Sequence, residues 1–434
     1  MRQVLALVCL QLALGLWLLF TGRVVATAQE LSQLDIPEFS ESFWLVDRDG
    51  VSEFLTTQPP EYLYSVSQGG QMSFYALLGK LFFRSPYTFG GNAGYLGLSC
   101  NTCHINGTTN PNFYVEGLSK RPGGVDISHS FWNPRADDGR ANPLDIPTLR
   151  GIRDTAPYGR DGRFASIREF TRQVITIEFG GDEPSELMLD ALVAYQLDLA
   201  PLPNRHLDHS GNVVPANRNL SDAESLFVRD CARCHVPGNY YLDGHSHNVG
   251  TGGYFDTPTL LGLEESSPYF HDGRASNLSE VVGHFDEVSD TDYKTDQQRL
   301  MLTYLSLVGS VDFERERIST SVRVDELQAF ASLLFEPIKA EDTALIDLIV
   351  DMLRLELKKL HERFPAREHV AARESIVLSA DRLRSIAREA ELGAYSSAKT
   401  MLIDWLRQVD MMRSLVEQYD DTSLFNPDIL GSGG

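Results

Sequence analysis

Apolar positions recur at spacings of three and four along much of this chain, a pattern that predicts helices rather than strands. "FYALLGKLFF" (74–83), "LMLDALVAYQLDL" (187–199), "SDAESLFVRDCARCH" (221–235) and "QRLMLTYLSLVG" (298–309) each carry such a stripe. Ser221 with Glu224 has the form of a capping box at the start of the third. From Asp312 onward glycines are few, and "DELQAFASLLF", "EDTALIDLIVDMLRLELKKLHERF", "ARESIVLSADRLRSIAREAEL" and "SSAKTMLIDWLRQVDMMRSLVEQY" read as amphipathic helices. They predict a helical bundle of about 120 residues, whose stripes serve packing before any partner or membrane. A different pattern opens the chain. Arg2 precedes an apolar run from Val4 to Phe20, followed by Ala26-Thr27-Ala28, which predicts a signal peptide cleaved after Ala28. The competing reading is a retained membrane anchor, since the run approaches spanning length.

The loops between these stripes repeat. "IPTLRGIRDTAPYGRDGRFASIREF" (146–170) returns as "TPTLLGLEESSPYFHDGRASNLSEV" (257–281), offset by 111 residues, with Pro-Thr-Leu, Pro-Tyr and Asp-Gly-Arg in register. A repeat of this kind implies two similar domains in tandem. The intervening text, "RADDGRANP" and "GHSHNVGTGGYFD", is loop, where pocket residues usually reside.

Composition narrows the partners. Sixty acidic residues face 38 basic ones, a formal net charge of −22, so the chain is a poor ligand for nucleic acid or anionic lipid. Small cationic proteins are the electrostatically favoured partners. Five cysteines are present. Cys9 leaves with the signal peptide, and the other four lie in two C-x-x-C-H motifs, "SCNTCHIN" and "DCARCHVP", so none remains for a disulfide framework.

In C-x-x-C-H, thiols one helical turn apart can add to the two vinyl groups of a porphyrin, and the next imidazole then ligates iron. Cys100, Cys103 and His104 form one such set; Cys231, Cys234 and His235 form the other. The chemistry is covalent attachment of two c-type haems. A redox dithiol does not require the histidine, and a zinc site needs all four sulfurs on one ion, against their separation into two repeat units.

The two motifs, each followed by Pro-Thr-Leu, Pro-Tyr and Asp-Gly-Arg, resemble the bacterial di-haem cytochrome c peroxidase family, with its MauG-like members. The likeness runs from about Leu78 to Phe285. It implies a mainly α fold of two tandem cytochrome c-like domains, 70–205 and 218–311. A signal peptide (1–28) and an N-terminal segment (29–69) precede them, and a C-terminal helical bundle extension (312–434) follows. It implies a peroxidatic haem on His104 and an electron-transfer haem on His235. It further implies a distal ligand at His129 that leaves on activation and a proton-moving carboxylate at Glu178. Arg163 and Arg274 are candidate partners of haem propionates, or caps of their turns. Calcium between the domains would use Asn142, Ser266 and Pro268.

Two positions depart from the family pattern. A tryptophan expected before the first Asp-Gly is Arg160, leaving electron transfer to Trp132 or to direct contact of propionates. The sixth ligand of the second haem, methionine or tyrosine in the family, falls on Phe285, which cannot ligate; neighbouring His284 can, and Met301 is the only methionine nearby. Bis-histidine ligation would lower that haem's potential. The resulting expectation is a periplasmic peroxidase that reduces hydrogen peroxide to water. Its electrons come from a small cytochrome c or cupredoxin, and a homodimer is its expected assembly. A MauG-like oxidase acting on a protein or organic substrate, and an electron-transfer protein without turnover, are the alternatives.

Overall fold

The computed structural model describes residues 51–208, 210–214 and 220–430; the expected signal peptide and residues 29–50 lie outside the described residues. The chain is mainly helical. Its helices of seven residues or more are α1 (Phe74–Arg84), α2 (Ile167–Gln173), α3 (Glu186–Asp198), α4 (Ser221–Asp230), α5 (Leu278–Ser289) and α6 (Thr295–Gly309). They continue with α7 (Thr320–Ser332), α8 (Thr343–Glu362), α9 (Val370–Glu391) and α10 (Tyr395–Val416). Among the described residues, strand is confined to short antiparallel pairings of two residues each. None of the described helices is long and apolar enough to cross a membrane.

Two compact units result. Among the described residues, one comprises 51–334 and 420–430, the other Phe335–Tyr419. Residues 312–334, read from sequence with the helical extension, lie in the larger unit. In the smaller one, α8 packs on α9 and α9 on α10. Trp405 of α10 is buried there and donates its indole N–H to Ser379 O of α9 at 2.9 Å.

Within the larger unit, α1 begins where the Ser73 hydroxyl accepts the Ala76 amide, replacing a backbone partner that a first turn lacks. Its apolar stripe (Leu78, Leu81, Phe82, Phe83) is buried against α3, with Phe83 edge-on to Tyr195 at 5.1 Å. Gly79 permits the approach, because a Cβ there would lie 1.9 Å from Ala191 O. The second site's frame is similar in kind: α4 packs on α6, Phe227 stacks on Tyr304 at 4.4 Å, and Tyr241, Leu260, Val282 and Met301 complete the core. Ser221 is the first helical residue, not the cap. Leu220 holds the cap position with no side-chain hydrogen bond, so the expected capping box does not form.

Positions 111 residues apart adopt matching roles in the two copies of the repeat. Gly151 and Gly262 both take left-handed backbone, φ 71° and 69°, which lacks a Cβ penalty only for glycine. Tyr158 bridges Phe164 as Tyr269 bridges Ala275. The copies also meet reciprocally: Asp256 N–H donates to Arg160 O, and Asp145 N–H donates to His271 O, both at 2.9 Å.

Gly79→Ala should destabilise the protein by about 1–3 kcal/mol, because the added methyl has backbone on its path and no flexible neighbour to displace. Chemical denaturation checks this, and an unchanged midpoint would mean that α1 and α3 are not in such close contact.

Candidate functional site

Ser99 caps a single helical turn, Cys100–Cys103, and exchanges hydrogen bonds with Thr102. One turn places both sulfurs on the same side of the backbone. The chain leaves the helix at His104 (φ −121°, ψ 70°) and pairs with Thr109. There Nδ1 of His104 lies 2.9 Å from Pro147 O. A carbonyl only accepts, so Nδ1 carries the proton and Nε2 keeps its lone pair, the tautomer a metal-ligating histidine needs. Burial holds the ring neutral, pushing its proton affinity down to about 4; the Pro147 contact opposes this and the Arg160 charge adds to it.

The second motif repeats the arrangement. Cys231 closes α4 by donating its amide to Phe227 O at 2.8 Å. His235 Nδ1 lies 3.2 Å from Tyr241 O. Burial lowers this ring's proton affinity as well. No cysteine of the four is in a disulfide. Burial pushes the Cys100 and Cys231 thiols up to about 12 and Cys103 higher still, which disfavours the thiolate a redox dithiol uses. The four sulfurs do not converge: among the described residues, the cluster of possible metal ligands is Cys234, Asp243 and His247, the last two already paired at 2.6 Å. Neutral thiols beside an imidazole with a free Nε2 fit covalent haem attachment. Buried side-chain groups without a protein partner, Thr108 Oγ1, Arg150 Nε and Thr251 Oγ1, suit a cofactor with polar edges.

Glu178 ends a wide π turn, Val174–Glu178, which extends α2 and is closed by Phe179 N–H on Val174 O. Such turns are frequent at functional sites. The carboxylate is mostly shielded, its side chain 15% exposed, and lies 3.5 Å from Arg163 Nη2. Burial raises its pKa to about 7, outweighing the opposing pull of Arg163 and Arg160. Arg163 also pairs with Asp161 at 2.8 Å and lies over the Phe164 ring. In the second copy Arg274 pairs with Asp272 at 2.7 Å and donates to Thr251 O. Each Asp-Gly-Arg turn thus closes on its own aspartate.

The other sequence candidates are held as follows. His129 Nδ1 accepts the Phe131 amide at 3.0 Å, which puts the neutral ring's proton on Nε2 and takes up the remaining lone pair. His284 Nε2 donates to Val249 O at 2.7 Å, its ring edge-on to Phe270 and Phe285. Met301 is buried with its sulfur 3.9 Å from Cys231 Sγ. Trp132 packs on Phe131 and Phe179 and donates to Asp126 O. Asn142 is held by Ser128, Asp126 and Asp138. The Ser266 hydroxyl bonds Gly262 O, and Pro268 packs beneath Gly273 and beside Gly123.

Sequence reasoning passed over Asp145. It is buried, 3.3 Å from Arg160 Nη2, and its Oδ1 has no partner. The available signal was its register with Asp256, 111 residues on, whose Oδ1 is equally unpartnered.

No family model matches the chain. Over 249 residues, 48% of this chain and 71% of the relative, it is 25% identical to cytochrome c551 peroxidase of Nitrosomonas europaea. Two solved structures align at lower similarity. Hydrazine synthase of Kuenenia stuttgartiensis, pressurised with xenon, is 17% identical, with 62% of this chain and 95% of that chain covered at a TM-score of 0.39. A MauG-like protein associated with microbial copper homeostasis is 14% identical, with 58% and 93% covered at a TM-score of 0.37. The match to the peroxidase agrees with the resemblance that the chain's motifs carry.

Asp145 generates a pH-dependent prediction. Burial raises its carboxyl from the usual range to about 8 despite Arg160. The folded state therefore keeps a proton that the unfolded chain releases near pH 4, and stability falls as pH rises from about 4 to 8. Asp145→Asn should flatten that fall. Denaturation midpoints at pH 5 and pH 8 check it; an undiminished slope would place the loss elsewhere.

Proposed function

We propose that the chain is a di-haem c-type peroxidase of the periplasm, reducing hydrogen peroxide to water with electrons from a small redox protein. One observation carries the reading: behind each pair of thiols stands an imidazole whose Nδ1 is bonded to a backbone carbonyl, leaving Nε2 for iron. Cys100, Cys103 and His104 would hold the peroxide-reducing haem; Cys231, Cys234 and His235 would hold the relay haem. A haem bound at each supplies redox-active iron.

The remaining chemistry belongs to the polypeptide. Reduction of one peroxide consumes two electrons and two protons and yields two waters. As the O–O bond breaks, a proton must move from the oxygen near the metal to the departing oxygen. Glu178 is suited to this: a carboxyl with a pKa near 7 is populated in both forms at neutral pH, so it can take a proton and return it. Its burial limits exchange with bulk water, and Arg163 restrains its position. His129 would serve as the distal ligand only after releasing the Phe131 amide, because its Nδ1 is occupied in the described conformation. That release is the activation step by which the pocket opens. The acidic composition favours a cationic donor, a small cytochrome c or a cupredoxin.

Glu178→Gln should slow peroxide cleavage by about 10²–10⁴. In the wild type the rate should fall as pH drops through about 7, where Glu178 takes up its proton, and the variant should lose that limb. Stopped-flow oxidation of the half-reduced holoprotein by peroxide reports both. Normal rates in the variant would remove Glu178 from the chemistry. A long-lived oxidised species formed without donor turnover would instead favour a MauG-like oxidase.

A further inference from the structure

We propose that Arg160 is a positioning residue for the first iron site: a cation fixed in the seam between the two copies of the repeat, which raises the reduction potential of a haem held by His104. The inference rests on the haem reading above and concerns a residue at which the chain departs from its relatives' pattern. Arg160 stands directly before Asp161-Gly162, the position His271 occupies before Asp272-Gly273. Its carbonyl receives the Asp256 amide, while its guanidinium reaches Asp145 Oδ2 at 3.3 Å. Ser246 donates to Asp161 O at 2.7 Å across the same contact. The backbone around Arg160 is thus held from across the seam and its guanidinium by Asp145 of its own copy, the side chain 26% exposed.

The stretch that anchors it also anchors the proximal ligand. Asp145 binds Arg160, Ile146 O accepts the Thr109 hydroxyl, and Pro147 O accepts the Nδ1 proton of His104. Two residues of extended chain span roughly 7 Å, so the cation and the imidazole hang from neighbouring points of one short support. A fixed positive charge so placed disfavours the more positive oxidation state of a metal bound at that ring. In the second copy the corresponding residue is His271, a ring stacked on Phe255 at 3.8 Å and held toward its neutral form by burial. At this position the repeat therefore carries a fixed cation in the first copy and a neutral ring in the second.

Spectroelectrochemical titration of the haem-loaded protein tests this, with each centre assigned by loss of its signal in His104→Gly or His235→Gly. Arg160→Gln should lower the first potential and leave the second unmoved; Arg160→Lys, which keeps the charge, should restore the first. An unmoved first potential in Arg160→Gln overturns the proposal, and so do equal shifts at both centres, which report a loosened seam. Should Arg160→Gln fail to assemble, Asp145→Asn provides the test at pH 9, where Asp145 has lost its proton. Removing that negative charge beside the cation should raise the first potential, and an unmoved or lowered one overturns the proposal. Wild-type protein that carries haem but is inert to peroxide removes the peroxidase reading and leaves the role of Arg160 to stand on its potentials.

Discussion

A neutral imidazole has one N–H and one nitrogen lone pair, and whatever receives the N–H decides where the lone pair is available. In this protein that receiver is backbone. Pro147 O takes the proton of His104, and Tyr241 O takes that of His235. A backbone carbonyl has no rotamers, so each ring is oriented by the fold itself. The thiols need no thiolate character for addition to a porphyrin to be their use, and burial keeps Cys100, Cys103 and Cys231 protonated. A pair of protonated sulfurs beside a ring of fixed tautomer is a poor redox dithiol and a poor zinc site. It is a well-formed place for covalent haem.

The carbonyl of Pro147 is not isolated. It ends a three-residue stretch whose other members close the seam between the repeats and seat Thr109. The reciprocal bonds from Asp145 to His271 O and from Asp256 to Arg160 O mean that each copy's Asp-Gly-Arg turn rests on the other copy's extended segment. A duplicated unit gains this arrangement without new sequence, because one pair of contacts made twice about a local axis is satisfied by the same residue types. The differences then become informative. Where the repeat places Arg160 against His271, the two sites differ in charge, and Glu178 lies within the field of the charged one.

Much of this was legible in the sequence. The apolar stripes marked α1, α3, α6 and α8–α10 to within a few residues, since each has a face that must be buried. The attachment motifs and the register of 111 residues were explicit in the letters. What the sequence hid was pairing between distant positions. Nothing local to His129 or His284 announces that one ring nitrogen is spent on Phe131 N or Val249 O. Asp145 reads as a loop acid until the fold buries it under Arg160. The Ser221 capping box failed for a local reason: Leu220 takes the cap position and the serine falls inside the first turn. Residues 312–334 looked like the helices after them because amphipathicity does not say against which core a stripe packs.

Intact mass spectrometry of the purified protein tests, without reference to activity, whether porphyrin is held at both C-x-x-C-H turns. The expected mass is that of the chain plus two haems, falling by one haem when Cys100 and Cys103 are both replaced and by the other when Cys231 and Cys234 are. A protein matured in cells competent for haem attachment that shows only the mass of its bare chain would contradict it.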